Sequence, residues 1–100
     1  MFTIVCRYQV NAGSEADFEA HYGLDGVWAK LFAASRFYLG TELFRDARNA
    51  GVYLTLDRWR SDSDFEAFKS ENGEACQALD ARCEPLTAAE RRLGAFLSST

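Results

Sequence analysis

From Phe2 to Val10 the side chains alternate, with Phe2, Ile4, Cys6, Tyr8 and Val10 on one face and Thr3, Val5, Arg7 and Gln9 on the other. A period of two is that of an extended strand, and the first of these faces is wholly apolar. Asn11-Ala12-Gly13 supplies a turn, and Ser14 is placed to cap a helix whose Asp17 sits near the positive end of the helix dipole. That helix is predicted to run to about Ser35. Phe18, Tyr22, Trp28, Leu31 and Phe32 fall on one side of it, and Gly23 and Gly26 kink it or divide it in two.

A second strand is predicted from Tyr38 to Asp46. Five residues ending in Gly51 form a hairpin link to a third, Val52 to Trp59. Within the third strand Val52, Leu54 and Leu56 make an apolar face suited to helices, and Tyr53, Thr55, Asp57 and Trp59 make a bulky, mixed one. Ser61, with Asp64 three residues on, caps a second helix whose inward stripe is Phe65, Phe68, Cys76, Leu79 and Cys83, interrupted at Asn72-Gly73. Pro85 ends it, Thr87 and Glu90 repeat the capping signature for one short turn, and Leu93 to Ser98 forms a last short strand. The order strand, helix, strand, strand, helix, strand is the split β-α-β pattern. It predicts a single ferredoxin-like α+β domain over residues 1–100, with a four-stranded antiparallel sheet.

Helices on one face of such a sheet leave the other uncovered, and an apolar open face must be buried. The expectation is a homodimer in which two sheets close face to face around an enclosed space. Thr3, Val5, Arg7 and Gln9 of the first strand, with Tyr53, Thr55, Asp57 and Trp59 of the third, would line it. A few polar groups among apolar walls is the character of a small-molecule pocket. Arg7, Gln9, Tyr53, Thr55, Asp57 and Trp59 are therefore the candidate substrate-binding residues.

Charge and composition narrow the partners. Eleven basic and fifteen acidic residues give a net charge of −4 without a Lys/Arg cluster, so a nucleic-acid backbone would be repelled. The first ten residues carry Arg7 inside their apolar run, unlike a secretory signal, and no apolar run approaches the ~18 residues that span a bilayer. Three cysteines in no framework spacing fit free thiols, and the protein is expected to be cytoplasmic. Cys76 and Cys83 lie two helical turns apart, ~10.5 Å and beyond disulfide reach, and no metal-ligand spacing is present.

Each candidate has a structural and a chemical role open to it. Arg7 and Asp57, on neighbouring strands, either satisfy each other as a buried ion pair or leave Arg7 to bind an anionic phenolate or carboxylate. Trp59 serves the dimer interface or a ligand, and Tyr53 and Thr55 share that ambiguity. His21, the only histidine, lies on the first helix, where packing or solvent accounts for it and a catalytic role would require it to reach around the sheet.

The stretch Tyr38-Leu39-Gly40-Thr41-Glu42-Leu43, leading into Tyr53-Leu54-Thr55-Leu56-Asp57-Arg58-Trp59 and then Ser61, Phe65 and Phe68, resembles the antibiotic biosynthesis monooxygenase domains of the dimeric α/β barrel superfamily. The likeness extends to the first strand, the Gly13 turn and Leu93-Gly94-Ala95-Phe96. It implies a dimeric barrel and several chemistries, since fold does not transmit function. Haem-degrading relatives need a second-helix histidine and a further tryptophan where this chain has Ala78 and Phe68, which disfavours that branch. Quinone-forming relatives use neither metal nor flavin, the deprotonated phenol itself supplying electrons to oxygen. Two functions follow: a cofactor-independent monooxygenase acting on a small aromatic or polyketide-like substrate, or a non-catalytic dimeric binding or accessory protein.

Overall fold

A computed structural model of the chain describes residues 1–99. Strand β1 (Phe2–Val10) is followed by helices α1 (Glu15–Tyr22) and α2 (Val27–Phe32), then strands β2 (Tyr38–Arg45) and β3 (Val52–Trp59). Helices α3 (Asp62–Glu71) and α4 (Gly73–Cys83), a 3₁₀ turn (Glu84–Leu86) and strand β4 (Thr87–Leu97) complete it. The strands form one antiparallel sheet in the order β2-β3-β1-β4, so the expected ferredoxin-like α+β arrangement is present. No helix among the described residues is long and apolar enough to cross a membrane.

Both predicted helices are divided at the glycines that marked them. Gly26 is buried at the α1–α2 joint, where a Cβ would lie 2.8 Å from the carbonyl oxygen of His21. Ser61 caps α3 as expected, its Oγ accepting from the Asp64 amide at 3.2 Å. Ser14 makes no side-chain cap; instead the Gly13 amide donates to Glu15 Oε1 at 2.6 Å. The short helical turn expected at Thr87–Glu90 is strand, and β4 starts six residues before the predicted Leu93. Pairing along nearly the whole of β1 supplies more hydrogen bonds than one capped turn would, so the tertiary partner overrides the local signal.

The register corrects the expected faces of the sheet. Phe2 lies opposite Trp59, Ile4 opposite Asp57, Cys6 opposite Thr55 and Tyr8 opposite Tyr53. Directly opposed residues share a face, so Tyr53, Thr55, Asp57 and Trp59 look toward the helices together with the apolar face of β1. Leu54 and Leu56, expected on the helix side, lie opposite Arg7 and Val5 on the open side. The physical reason is volume. The helix layer is built from large rings, and Tyr53 packs on Phe18 with centroids 4.9 Å apart while Trp59 packs among Tyr38, Phe65 and Phe68 at 5.1–5.3 Å. Leucines would leave that layer underfilled.

The core has two aromatic clusters. One gathers Tyr8, Phe18, Tyr22 and Tyr53 with Leu79 and Cys83; the other gathers Phe2, Ile4, Trp59, Phe65 and Phe68. Phe32 of α2 bridges to the second, packing edge-on against both Trp59 and Phe68.

Candidate functional site

A cavity of about 260 Å³ lies where the two clusters meet, between the sheet and the helices and within a single chain. Its walls are mainly rings: Tyr8 from β1, Tyr22 from α1, Trp28 and Phe32 from α2, and Phe65 and Phe68 from α3. Lys69 and Arg92 stand over the Phe65 ring at 5.4 and 5.7 Å, and with Asp80 and Glu90 they supply the charged side chains of the lining besides Asp57. Arg92 and Glu90 reach this side because a register shift between Val5 and Cys6 inserts Leu93 as an extra residue in β4.

The sheet brings two carboxylates to the cavity, Glu90 at the β4 edge, its pKa raised by burial, and Asp57 on β3. Asp57 Oδ1 accepts from Thr41 Oγ1 at 2.6 Å, and Thr41 Oγ1 is in turn hydrogen-bonded to the Tyr38 hydroxyl. Burial pushes the Asp57 pKa up to about 6, opposed by the Thr41 hydrogen bond, which favours the charged form. Two further polar atoms of the lining residues, Trp28 Nε1 and Thr55 Oγ1, are buried without a hydrogen-bond partner. Both atoms are closed to solvent, with the Tyr22 hydroxyl beside Trp28 and the Tyr8 hydroxyl beside Thr55 as their polar neighbours.

Of the six residues expected to form one site, only Thr55 and Asp57 line this cavity. Arg7 projects from the opposite face of the sheet, opposite Leu54 and Arg91, so it neither pairs with Asp57 nor reaches the cavity. Gln9 is on that same open side, its Nε2 3.5 Å from the Ala50 carbonyl oxygen. Tyr53 is buried in the aromatic core and donates to Glu19 Oε2 at 2.6 Å, burial and this bond pushing its pKa up to about 12. Trp59 is fully buried between rings, and its Nε1 is also without a partner. Thr3 and Val5 follow Arg7 onto the open face.

Thr41, Tyr38 and Trp28 were not among the residues expected at a site. Gly40 inside an otherwise regular strand was the available signal, since glycine there often marks a bulge. His21 is not part of the cavity lining; its Nδ1 meets the Asp17 carbonyl oxygen at 2.7 Å on the same helix. Cys6 and Cys76 line the cavity as free thiols, and burial pushes both pKa values up. Burial likewise raises Tyr8 and Tyr22 far above the usual phenol range. The lining therefore offers no imidazole to serve as an axial haem ligand.

The family profile for antibiotic biosynthesis monooxygenase matches residues 1–81. No curated protein matches the sequence. Among solved structures, SnoaB, a cofactor-independent oxygenase from Streptomyces nogalater, superposes with a TM-score of 0.75 at 21% identity, over 99% of this chain and 93% of that one. A protein of Caulobacter crescentus ascribed to the antibiotic biosynthesis monooxygenases gives 0.79 at 23% identity, covering 99% and 90%. A mutant of MhuD with manganese protoporphyrin IX in its active site gives 0.73 at 23%, covering 100% and 96%. At such identities the structural likeness speaks for the fold.

Proposed function

Because the chain belongs to the antibiotic biosynthesis monooxygenase family, we propose that it is a cofactor-independent oxygenase that oxidises a small phenolic aromatic or polyketide-like molecule in the cavity between sheet and helices, with Asp57 as the base. The observation that carries this is a carboxylate on the floor of an aromatic-walled cavity, one oxygen held by Thr41 and the other making no hydrogen bond among the described residues. A phenol stacked between the rings would give its proton to Asp57. The resulting phenolate is electron-rich enough to reduce oxygen directly. In the overall step, a ring C–H and the phenolic O–H are lost, one oxygen atom becomes the new ring carbonyl, the other leaves as water, and the substrate supplies all four electrons. Trp28 and Thr55 supply the substrate with a ring wall and part of the sheet floor.

Oxygen consumption with a panel of hydroxyanthracenes and other phenols that carry a ring C–H para to the hydroxyl tests this. Uptake coupled to quinone formation is expected, with kcat reduced ~10²–10⁴-fold in Asp57→Asn. Uptake no faster than in the protein-free control across the panel would sink the oxygenase. Saturable quenching of tryptophan fluorescence by the same compounds, without uptake, would favour the non-catalytic binding protein instead.

A homodimer is part of the same proposal. The open face of the sheet carries Val5, Leu54 and Leu56 at its centre and the exposed rings of Phe44 and Phe96 toward its edges. Around them stand Thr3, Arg7, Gln9 and the Arg58–Glu42 ion pair, and an apolar centre with a polar surround suits burial against a second copy. Since the cavity lies on the other side of the sheet, its walls do not depend on that pairing.

A further inference from the structure

Strand β2 contains one residue too many for its partner. Tyr38 lies opposite Trp59 and Gly40 opposite Arg58, so two steps on β2 match one on β3. Gly40 has φ +129°, a conformation that side-chain-bearing residues rarely adopt. The consequence is a change of parity. Tyr38 and Thr41 are three apart and would lie on opposite faces of a regular strand, yet both look toward the helices.

That parity change assembles a directed hydrogen-bond chain. Thr41 Oγ1 has one proton, and it is donated to Asp57 Oδ1, an acceptor when ionised. The Tyr38 hydroxyl must therefore be the donor to Thr41. Tyr38 is itself fixed between the rings of Phe32 and Trp59, with centroids at 5.4 and 5.3 Å, and it lies outside the cavity lining. A rigid ring thus orients a hydroxyl, which orients a carboxylate.

We propose that Tyr38 and Thr41 are positioning residues, brought onto one face by the Gly40 bulge, that tie down Asp57 Oδ1 and leave Oδ2 as the single oxygen available to a ligand's hydroxyl. The proposal rests on the cavity being a phenol site, but its geometry can be tested without turnover. The donated bond also favours the ionised carboxylate against the effect of burial. The charged groups facing the same cavity are Lys69 on α3, Asp80 on α4, and Glu90 and Arg92 on β4; α2 contributes none. The remaining titratable groups there, Cys6 and Tyr8 on β1, Tyr22 on α1 and Cys76 on α4, are uncharged near neutrality because burial raises each.

The experiment is a direct titration of the Asp57 carboxyl by carbon NMR in protein labelled at aspartate, with Asp57→Asn to assign the signal. Thr41→Val removes the donor with little change of volume, Thr41→Ser keeps it, and Tyr38→Phe removes only the outer link. The midpoint is expected to rise by about half a unit or more in Thr41→Val, roughly threefold in proton affinity, to return in Thr41→Ser, and to rise by less in Tyr38→Phe. Unchanged midpoints in both Thr41→Val and Tyr38→Phe would overturn the proposal, as would a Thr41→Ser protein that titrates like Thr41→Val. Should Thr41→Val not fold, the Tyr38→Phe midpoint decides alone. If the titration shifts as expected but no substrate is oxidised, the oxygenase fails and the positioning chain stands. If turnover is found, the acid limb of kcat/KM must move with the NMR midpoint.

Discussion

Asp57 carries two opposed consequences at the scale of a single residue. Its pKa is raised from an ordinary value of 3.8 to about 6, so the folded chain binds a proton more tightly than the unfolded one. Stability therefore falls as pH rises through the window from about 3.8 to about 6, and the whole loss is present above it. Asp57→Asn, which imitates the protonated form, is expected to be more stable than the native chain well above pH 6, by on the order of 1–3 kcal/mol, and nearly equal to it near pH 4. Urea denaturation at the two pH values measures this, and an equal difference at both would refute the assignment. Catalysis should run the other way: kcat/KM rises with pH to a plateau whose midpoint is near 6, because only the carboxylate accepts a proton. A residue that lowers stability where it is needed chemically is characteristic of a functional site.

At the scale of elements, glycines separate required geometry from tolerated geometry. A methyl group on Gly26 would sit 2.8–2.9 Å from the backbone carbonyl oxygens of His21 and Ala20, which cannot move without opening the joint between α1 and α2. Gly26→Ala is expected to cost ~1–3 kcal/mol in thermal or chemical unfolding. Gly73 opens α4 with nothing within 4 Å of the same position, so Gly73→Ala should stabilise by ~0.4–1 kcal/mol through the unfolded state. A loss at Gly73, or none at Gly26, would contradict this account of the two joints. Both breaks were visible in the sequence as glycines in helical patterns. The extent of β4 was not, because Thr87 and Glu90 mimic a helix start and only pairing with β1 decides their conformation.

For the whole molecule, the apolar centre of the open face, Val5 with Leu54 and Leu56, sets the expectation of a dimer, with light scattering giving twice the 11.2 kDa of one chain. Leu54→Lys puts a charge at the centre of that face beside Arg7 and should yield a folded monomer, the far-ultraviolet circular dichroism being retained. A native chain that scatters as a monomer, or a Leu54→Lys protein that stays dimeric, would remove the face as the contact. Because the cavity is bounded by the chain's own sheet and helices, the monomeric variant should still bind aromatic ligands.

Element order, the helix breaks, the capped start of α3 and the apolar face of β1 could all be read from the sequence, because each rests on local periodicity or turn chemistry. Thr55 and Asp57 also stand out there, as polar residues in a strand with a bulky mixed face, and both line the cavity. What the sequence misled on was parity, since the leucines of β3 were expected under the helices and lie on the open side. Whether Asp57 shares a face with Arg7 or with Ile4 depends on how β3 pairs with β1, and a one-residue difference in register exchanges the two faces. The bulge at Gly40 applies the same rule within β2, bringing Tyr38 and Thr41 to one side. Only the tertiary structure fixes such a count, because strand pairing is settled by which side chains fill the space under the helices. In this chain that space takes Tyr53 and Trp59, and Asp57 goes inward with them.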